Sequence, residues 1–219
     1  MKTLRDFKDK HRNEDVYVLG SGPSLTYIDP GFFARKVVVA TNAVAERMGL
    51  YKIVKHLYTQ SHYHNETLDL AWQYPKHWFF SPEGHAGLAG MPEQFEPNLV
   101  YYKHKPTIFD FDVERSWMPD GLIVGSTSTH ASMHLACHLG ASTVMLCGVD
   151  CGLIDNQTNQ DGYVSGNLAV DDPLPWLGRW EQHLRDVKAK LVTEYGVRIY
   201  SINPFVNMNL EGHTWTGPN

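Results

Sequence analysis

The chain has 219 residues, of which 42% are apolar and 20% charged, and its formal net charge is −5. That length fills one sizeable core, and the composition excludes a disordered chain. The acidic balance, with no run of Lys or Arg, gives no electrostatic support to a protein that grips nucleic acid through its phosphates. From the N-terminus, Thr3 to Arg12 suits a short polar helix. Val16-Tyr17-Val18-Leu19 is a β-rich run that ends in Gly20-Ser21-Gly22-Pro23-Ser24-Leu25. A buried strand that stops abruptly in glycines is the usual opening of a nucleotide-binding α/β fold. Asp29-Pro30 starts a helical piece through Phe33. Val37 to Ala40 is a second strand, followed by Thr41-Asn42. Ala43 to Gly49 reads as a short helix ended by its glycine. Val54 to Thr59 is a third strand, and Asn65 to Tyr74 a helix that stops before Pro75.

In the middle of the chain, Trp78 to Phe80 and Leu99 to Tyr102 look like strands, and residues 81–96 read as an excursion or lid. Ser126-Thr127-Ser128-Thr129 precedes a helix from about Thr129 to Leu139, closed by Gly140. Val144 to Gly148 is the next strand, ending in Val149-Asp150. Residues 151–174 are polar and glycine-punctuated, a loop able to close as a lid. Leu177 to Tyr195 is a long amphipathic helix, and Val197 to Ile202 a last strand. This alternation predicts an α/β, Rossmann-like fold: a mainly parallel sheet with helices on both faces, in one domain over residues 1–219. The cysteines, Cys137, Cys147 and Cys151, lack the spacing of a disulfide framework. The first residues have no apolar core of a secretory signal, and no stretch approaches the ~18 apolar residues of a membrane span. The expected location is cytoplasmic, and the sequence leaves the oligomeric state open.

Two turns carry the chemistry. Gly20 to Ser24 lets the backbone approach a ligand, and amides at the following helix start can hold a phosphate. The turn is neither G-x-G-x-x-G nor a Walker loop, so it does not indicate a dinucleotide or a P-loop. As an alternative, it is a tight strand-to-helix turn with no ligand. Gly125 to Thr129 sets four hydroxyls at a helix start, where one caps the helix and the rest form an anion pocket. Asn42 and Asp150 sit just past their strands on the same sheet edge. Asn42 suits a base or ribose, and Asp150 a hydroxyl or metal; each also suits a plain turn. His130, His134 and His138 share one helix face but lack the glutamate of a zinc motif. His62 and His64 lie in a loop after a strand, and Asp110-Phe111-Asp112 has a D-x-D form. No tightly bound cofactor and no metal site is expected.

Taken together, Tyr17 to Leu25, Asn42, Gly125 to Ser128, Leu139-Gly140-Ala141 and Val144 to Asp150 resemble two related groups: the family 42 bacterial sialyltransferases and the MptE-like proteins, some of which are 6-hydroxymethylpterin diphosphokinases. The resemblance implies that Gly20, Ser21, Gly22, Asn42, Thr127 and Ser128 hold the nucleotide of a CMP-sugar-like donor. Pro23, Ser24, Ser126 and Asp150 complete the set from the same turns. Ser21 stands where the sialyltransferases carry Asn, and Thr59 where they carry a second nucleotide-contacting Asn. Their catalytic histidine falls at Arg179, which stays protonated and cannot act as a base. His183, one helical turn on, is the replacement candidate, with Arg179 steadying the departing phosphate. The first expectation is therefore transfer of a sugar from a nucleotide-activated donor to a small-molecule or glycan hydroxyl. The alternatives are Mg²⁺-dependent pyrophosphoryl transfer to a pterin-like alcohol, with Asp150, Asp110 and Asp112 as ligands, and a non-catalytic nucleotide-binding module.

Overall fold

Short runs of β-prone residues build one parallel sheet in the computed structural model, which describes residues 2–62, 64–83, 97–105, 111–160 and 174–202. In chain order the elements are β1 (Asp15–Leu19), β2 (Val37–Thr41), α1 (Val44–Arg47), β3 (His56–Gln60), α2 (His64–Gln73), β4 (Trp78–Pro82), β5 (Leu99–Tyr102), α3 (Val113–Ser116), α4 (Ser128–His138), β6 (Thr143–Cys147), α5 (Leu174–Tyr195) and β7 (Arg198–Ser201). The strand order is β5-β4-β3-β2-β1-β6-β7. This is the expected Rossmann-like α/β architecture. Among the described residues no helix is long and apolar enough to cross a membrane.

Both faces of the sheet are covered, which is why its central strands read as continuous apolar runs rather than alternating ones. Val16 and Val18 of β1 face one core, with α4 and α5 above them through Met133, Leu135, Leu184 and Val187. Tyr17 and Leu19 face the other core, shared with Leu25, Phe33, Val44 and Leu70. Full burial of an aliphatic side chain contributes about 1.5–3 kcal/mol, so the middle of β1 alone is a large part of the stability.

The N-terminal segment departs from expectation. Instead of a helix to Arg12, a 3-10 turn at Leu4–Phe7 runs into further turns. Tertiary bonds explain the difference: the amides of Asp9, His11 and Asn13 donate to the carbonyls of His138, Leu139 and Gly140 at the end of α4. Asp9 and Asn13 take positive φ to do so, which an α-helix does not allow. The long C-terminal helix starts at Leu174 with Pro175 in its first turn, where a missing N–H is harmless. The predicted excursion at 81–96 falls mostly outside the described residues, as do residues 161–173 of the predicted loop.

The three histidines of α4 are core residues with separate surroundings. Nδ1 of His134 accepts from the Ile123 amide at 3.1 Å, Nε2 lies 2.8 Å from the Tyr195 hydroxyl, and the ring stacks on Trp117. His138 reaches the Leu4 carbonyl at 2.8 Å. His130 packs against Phe111. Burial pushes the pKa of both His130 and His134 from 6.5 down to about 3, and that of His138 down as well. Between those values the unfolded chain binds protons that the folded protein refuses, so stability falls as pH falls below 6.5. Urea denaturation at successive pH values from neutral downward should show a loss of about 1 kcal/mol per pH unit for each of His130 and His134. A flat profile would contradict their neutral, buried state.

Candidate functional site

The strand order changes direction at β1: the chain proceeds from β1 to β2 on one side, and from β6 to β7 on the other. The crevice between the C-terminal ends of β1 and β6 is where ligands enter such sheets. The turns after these two strands are bound to each other. The amides of Gly20 and Gly22 donate to the carbonyls of Cys147 (2.9 Å) and Gly148 (2.7 Å). Asp150 closes the junction, accepting from the Ser24 amide at 2.7 Å and from its hydroxyl at 2.6 Å. Burial pushes the Asp150 carboxyl upward, and the two bonds from Ser24 oppose this.

The glycines follow from the same packing. A Cβ on Gly20 would stand 2.5 Å from the Gly148 carbonyl oxygen, and one on Gly22 would overlap the Asp150 carboxylate. The facing turn thus gives a sufficient reason for both glycines. The junction narrows which amides of this turn could cradle a phosphate. Pro23 has no N–H, and those of Gly20, Gly22 and Ser24 are already bonded within the junction.

Beside the junction lies a cavity of about 160 Å³. Ser21 and Gly22, then Thr41 and Asn42, form one side of it. Residues 148–151 form the base, and Ser126 to Thr129 at the start of α4 form the facing wall. Leu177, Trp180 and Leu184 of α5 supply an apolar side, at the spacing of one helix face. Thr158 and Asn159 complete the wall. Their loop is tied to the first turn by Ser21 Oγ donating to Asn159 Oδ1 (2.9 Å) and the Gln160 amide donating to the Ser21 carbonyl (2.8 Å).

The start of α4 is the main source of donors. Thr127 is its N-cap by backbone angle but makes no capping bond, and its hydroxyl oxygen is buried without a partner among the described residues. The expected hydroxyl cap is therefore not formed. The first residues of the helix, whose amides lack the usual intrahelical partners, line the cavity at the positive end of the helix dipole. The flanking hydroxyls meet histidines instead: Ser126 Oγ lies 2.8 Å from His183 Nδ1, and Ser128 Oγ 2.7 Å from His62 Nδ1.

A buried polar network fixes this wall. Asn42, with φ of 50°, accepts from the His62 amide at 3.4 Å. Ser132 donates to the Gln60 carbonyl oxygen (3.3 Å), and the Gln60 amide donates to the Tyr102 hydroxyl (2.9 Å). That same amide approaches His62 Nδ1 at 3.4 Å. Thr41 and Ser132 share a further bond of 3.0 Å. The Gln60 side-chain amide can only donate, so its approach favours His62 Nδ1 as an acceptor.

No protein-family model and no curated protein matches the chain. Solved structures do. The chain is similar to the MAf glycosyltransferase of Magnetospirillum magneticum AMB-1, at 14% identity and a TM-score of 0.50 over 98% of this chain. It spans 38% of the length of that protein. It is likewise similar to the monofunctional alpha-2,3-sialyltransferase Cst-I of Campylobacter jejuni, at 14% identity and a TM-score of 0.50, covering 92% of this chain and 79% of that one. The sialyltransferase CstII of Campylobacter jejuni, in complex with cytidine-5'-monophosphate, aligns at 14% identity with a TM-score of 0.49, over 94% of this chain and 86% of that one. The two neighbours at a TM-score of 0.50 are thus glycosyltransferases, one of them a sialyltransferase. At this identity the shared property is the fold.

Of the residues singled out in the sequence, Ser21, Gly22, Asn42, Ser126, Thr127, Ser128 and Asp150 line the cavity. Gly20, Pro23 and Ser24 stand behind it, in the junction. Thr59 points into the opposite core, where its hydroxyl bonds Tyr51 at 2.9 Å, because it alternates with the cavity-side Gln60 along β3. Arg179 is exposed on α5, its guanidinium carbon 4.7 Å from the Trp176 ring centroid. Asp112 caps α3 by accepting from the Arg115 amide at 3.0 Å, while Asp110 and the side chain of His64 lie outside the described residues. Among the described residues no group of three or more His, Cys, Asp or Glu forms a metal centre. Sequence reasoning missed Gln60, Ser132, Tyr102 and Trp180, which no local motif marks. Asp150→Ala would strand the Ser24 amide and hydroxyl, and should lower stability by about 2–4 kcal/mol in chemical denaturation. A loss below about 1 kcal/mol would show that the junction does not depend on this carboxylate.

Proposed function

We propose that the protein is a glycosyltransferase-like enzyme that holds a nucleotide-activated sugar in the cavity beside α4 and transfers the sugar to an acceptor hydroxyl. The observation that carries this reading is the convergence, in one cavity at the β1/β6 crevice, of the uncapped start of α4 with the turns at Ser21 and Asn42. The donor phosphate would accept from the first amides of α4, Asn42 would meet the base or ribose, and Trp180 offers a plane for stacking. The fold shared with glycosyltransferases agrees with this assignment.

His183 is the group suited to take the acceptor proton. When its Nδ1–H donates to Ser126, Nε2 carries the lone pair a base needs. Burial, first, and the nearby Arg179 hold its pKa below 6.5, while Asp186 opposes them, so the ring is neutral at physiological pH. His62 has its lone pair engaged at Nδ1 and suits a donor role. In this reading Arg179 acts through its charge on His183.

The direct test is a thermal-shift series with nucleotides and nucleotide sugars on wild type and Ser128→Trp. A bound nucleotide raises the melting temperature by mass action, and the bulky indole in the helix wall should abolish that rise. No rise with any nucleotide in the wild type would reject the reading. Once the donor is known, His183→Gln should keep the nucleotide-induced rise and lower turnover by about 100-fold or more. Wild-type kcat/KM should fall as pH drops through a pKa below 6.5, and unchanged turnover in the variant would remove His183 from this role.

A further inference from the structure

A second cleft, of about 300 Å³, opens at the other end of the sheet, where β3 and β4 begin. Its character is opposite to that of the acidic chain as a whole. Lys10, Lys55 and Lys76 line it from three different segments, and His11 and His56 stand between them. Among the described residues none of the three lysines has a carboxylate within ion-pairing distance. The cleft is also built rather than merely charged. His11 is 5% exposed, with Nε2 locked 2.7 Å from the Tyr58 hydroxyl and Nδ1 3.0 Å from Glu14. The Lys10 ammonium lies 4.2 Å from the Phe7 ring centroid and 5.5 Å from that of Trp78, which is part of the lining. Lys2 sits over the same Trp78 ring at 4.8 Å.

We propose that this cleft is a second anion-binding site, shaped for a phosphoryl group carrying two negative charges and separate from the cavity beside α4. Convergent ammonium groups over an aromatic wall recognise a compact anion by charge-assisted hydrogen bonds. Among the described residues no carboxylate pairs with these lysines, so an anion entering the cleft meets positive charge that is not already offset. Burial and then Lys2 lower the pKa of Lys10, with Asp6 opposing. Burial, then His11 and Lys55, lower that of His56, with Glu14 opposing. A bound phosphoryl group reverses these repulsions, so binding draws a proton onto His56 and tightens as pH falls. The same chemistry is offered by a soluble phosphate monoester and by a lipid headgroup that ends in a phosphomonoester.

Inorganic pyrophosphate is the probe, titrated at low salt by calorimetry while the His56 ring protons are followed by NMR. Saturable binding with a rise in the His56 pKa is expected in the wild type and in Ser128→Trp, which separates this cleft from the nucleotide cavity. Lys55→Glu combined with Lys76→Glu changes two exposed side chains far from that cavity. It should weaken pyrophosphate at least about tenfold and leave any nucleotide-induced stabilisation intact. Sedimentation with vesicles of equal parts phosphatidic acid and phosphatidylcholine then identifies the source. Lysine-dependent co-sedimentation assigns a headgroup, and binding of pyrophosphate without vesicles assigns a soluble ester. Absence of both, an unmoved His56 pKa, or equal affinity in the double variant would overturn the proposal.

Discussion

Everything at the candidate site depends on one buried carboxylate. Asp150 holds the amide and hydroxyl of Ser24, and through them fixes the turn after β1 against the turn after β6. An ionised carboxylate is costly to bury unless donors surround it, and here Ser24 supplies two of them from across the junction. Because the junction takes up the amides of Gly20, Gly22 and Ser24, a ligand beside it finds few donors in this turn. The start of α4 has them: it lacks a side-chain cap, and its first turn forms the cavity wall.

The two ends of the sheet then handle negative charge by different physics. Among the described residues no Lys or Arg lines the cavity beside α4, so a phosphate there would rest on peptide dipoles and hydroxyls. These are fixed by the fold, hold their orientation without reorganisation and do not titrate. The cleft at the start of β3 relies on full charges carried by flexible side chains, which are sensitive to salt and to pH. The first arrangement favours precise placement of a reacting group, and the second favours capture.

Much of this architecture is legible in the sequence, for identifiable reasons. Strands buried on both faces, such as Val37 to Ala40, leave a short apolar run whose β-branched residues and flanking turns mark it as a strand. The turn at Gly20 to Ser24 announces itself because close backbone approach demands glycine. What the sequence conceals are effects of tertiary partners. The segment at Asp9 to Asn13 has helical composition, but its amides are drawn to the end of α4. The face on which Thr59 lies depends on strand register, and one residue of shift exchanges it with Gln60. The network of Thr41, Gln60, Tyr102 and Ser132 joins three strands and a helix, so no window along the chain contains it. Arg179 and His183 share a helical stripe by spacing, yet only contact with Ser126 distinguishes the histidine.

The order of the strands has a consequence for the birth of the protein. β1 is a central strand, but one of its two neighbours arrives late: 126 residues separate Ser24 from Asp150. At a synthesis rate of about 5–20 residues per second, β1 waits roughly 6–25 seconds with one edge bare. That edge carries Val16, Tyr17, Val18 and Leu19, an unpaired template for any other nascent strand. Until β6 emerges, that bare edge is the feature of the nascent chain most open to mispairing, a hazard that the finished sheet no longer carries at β1.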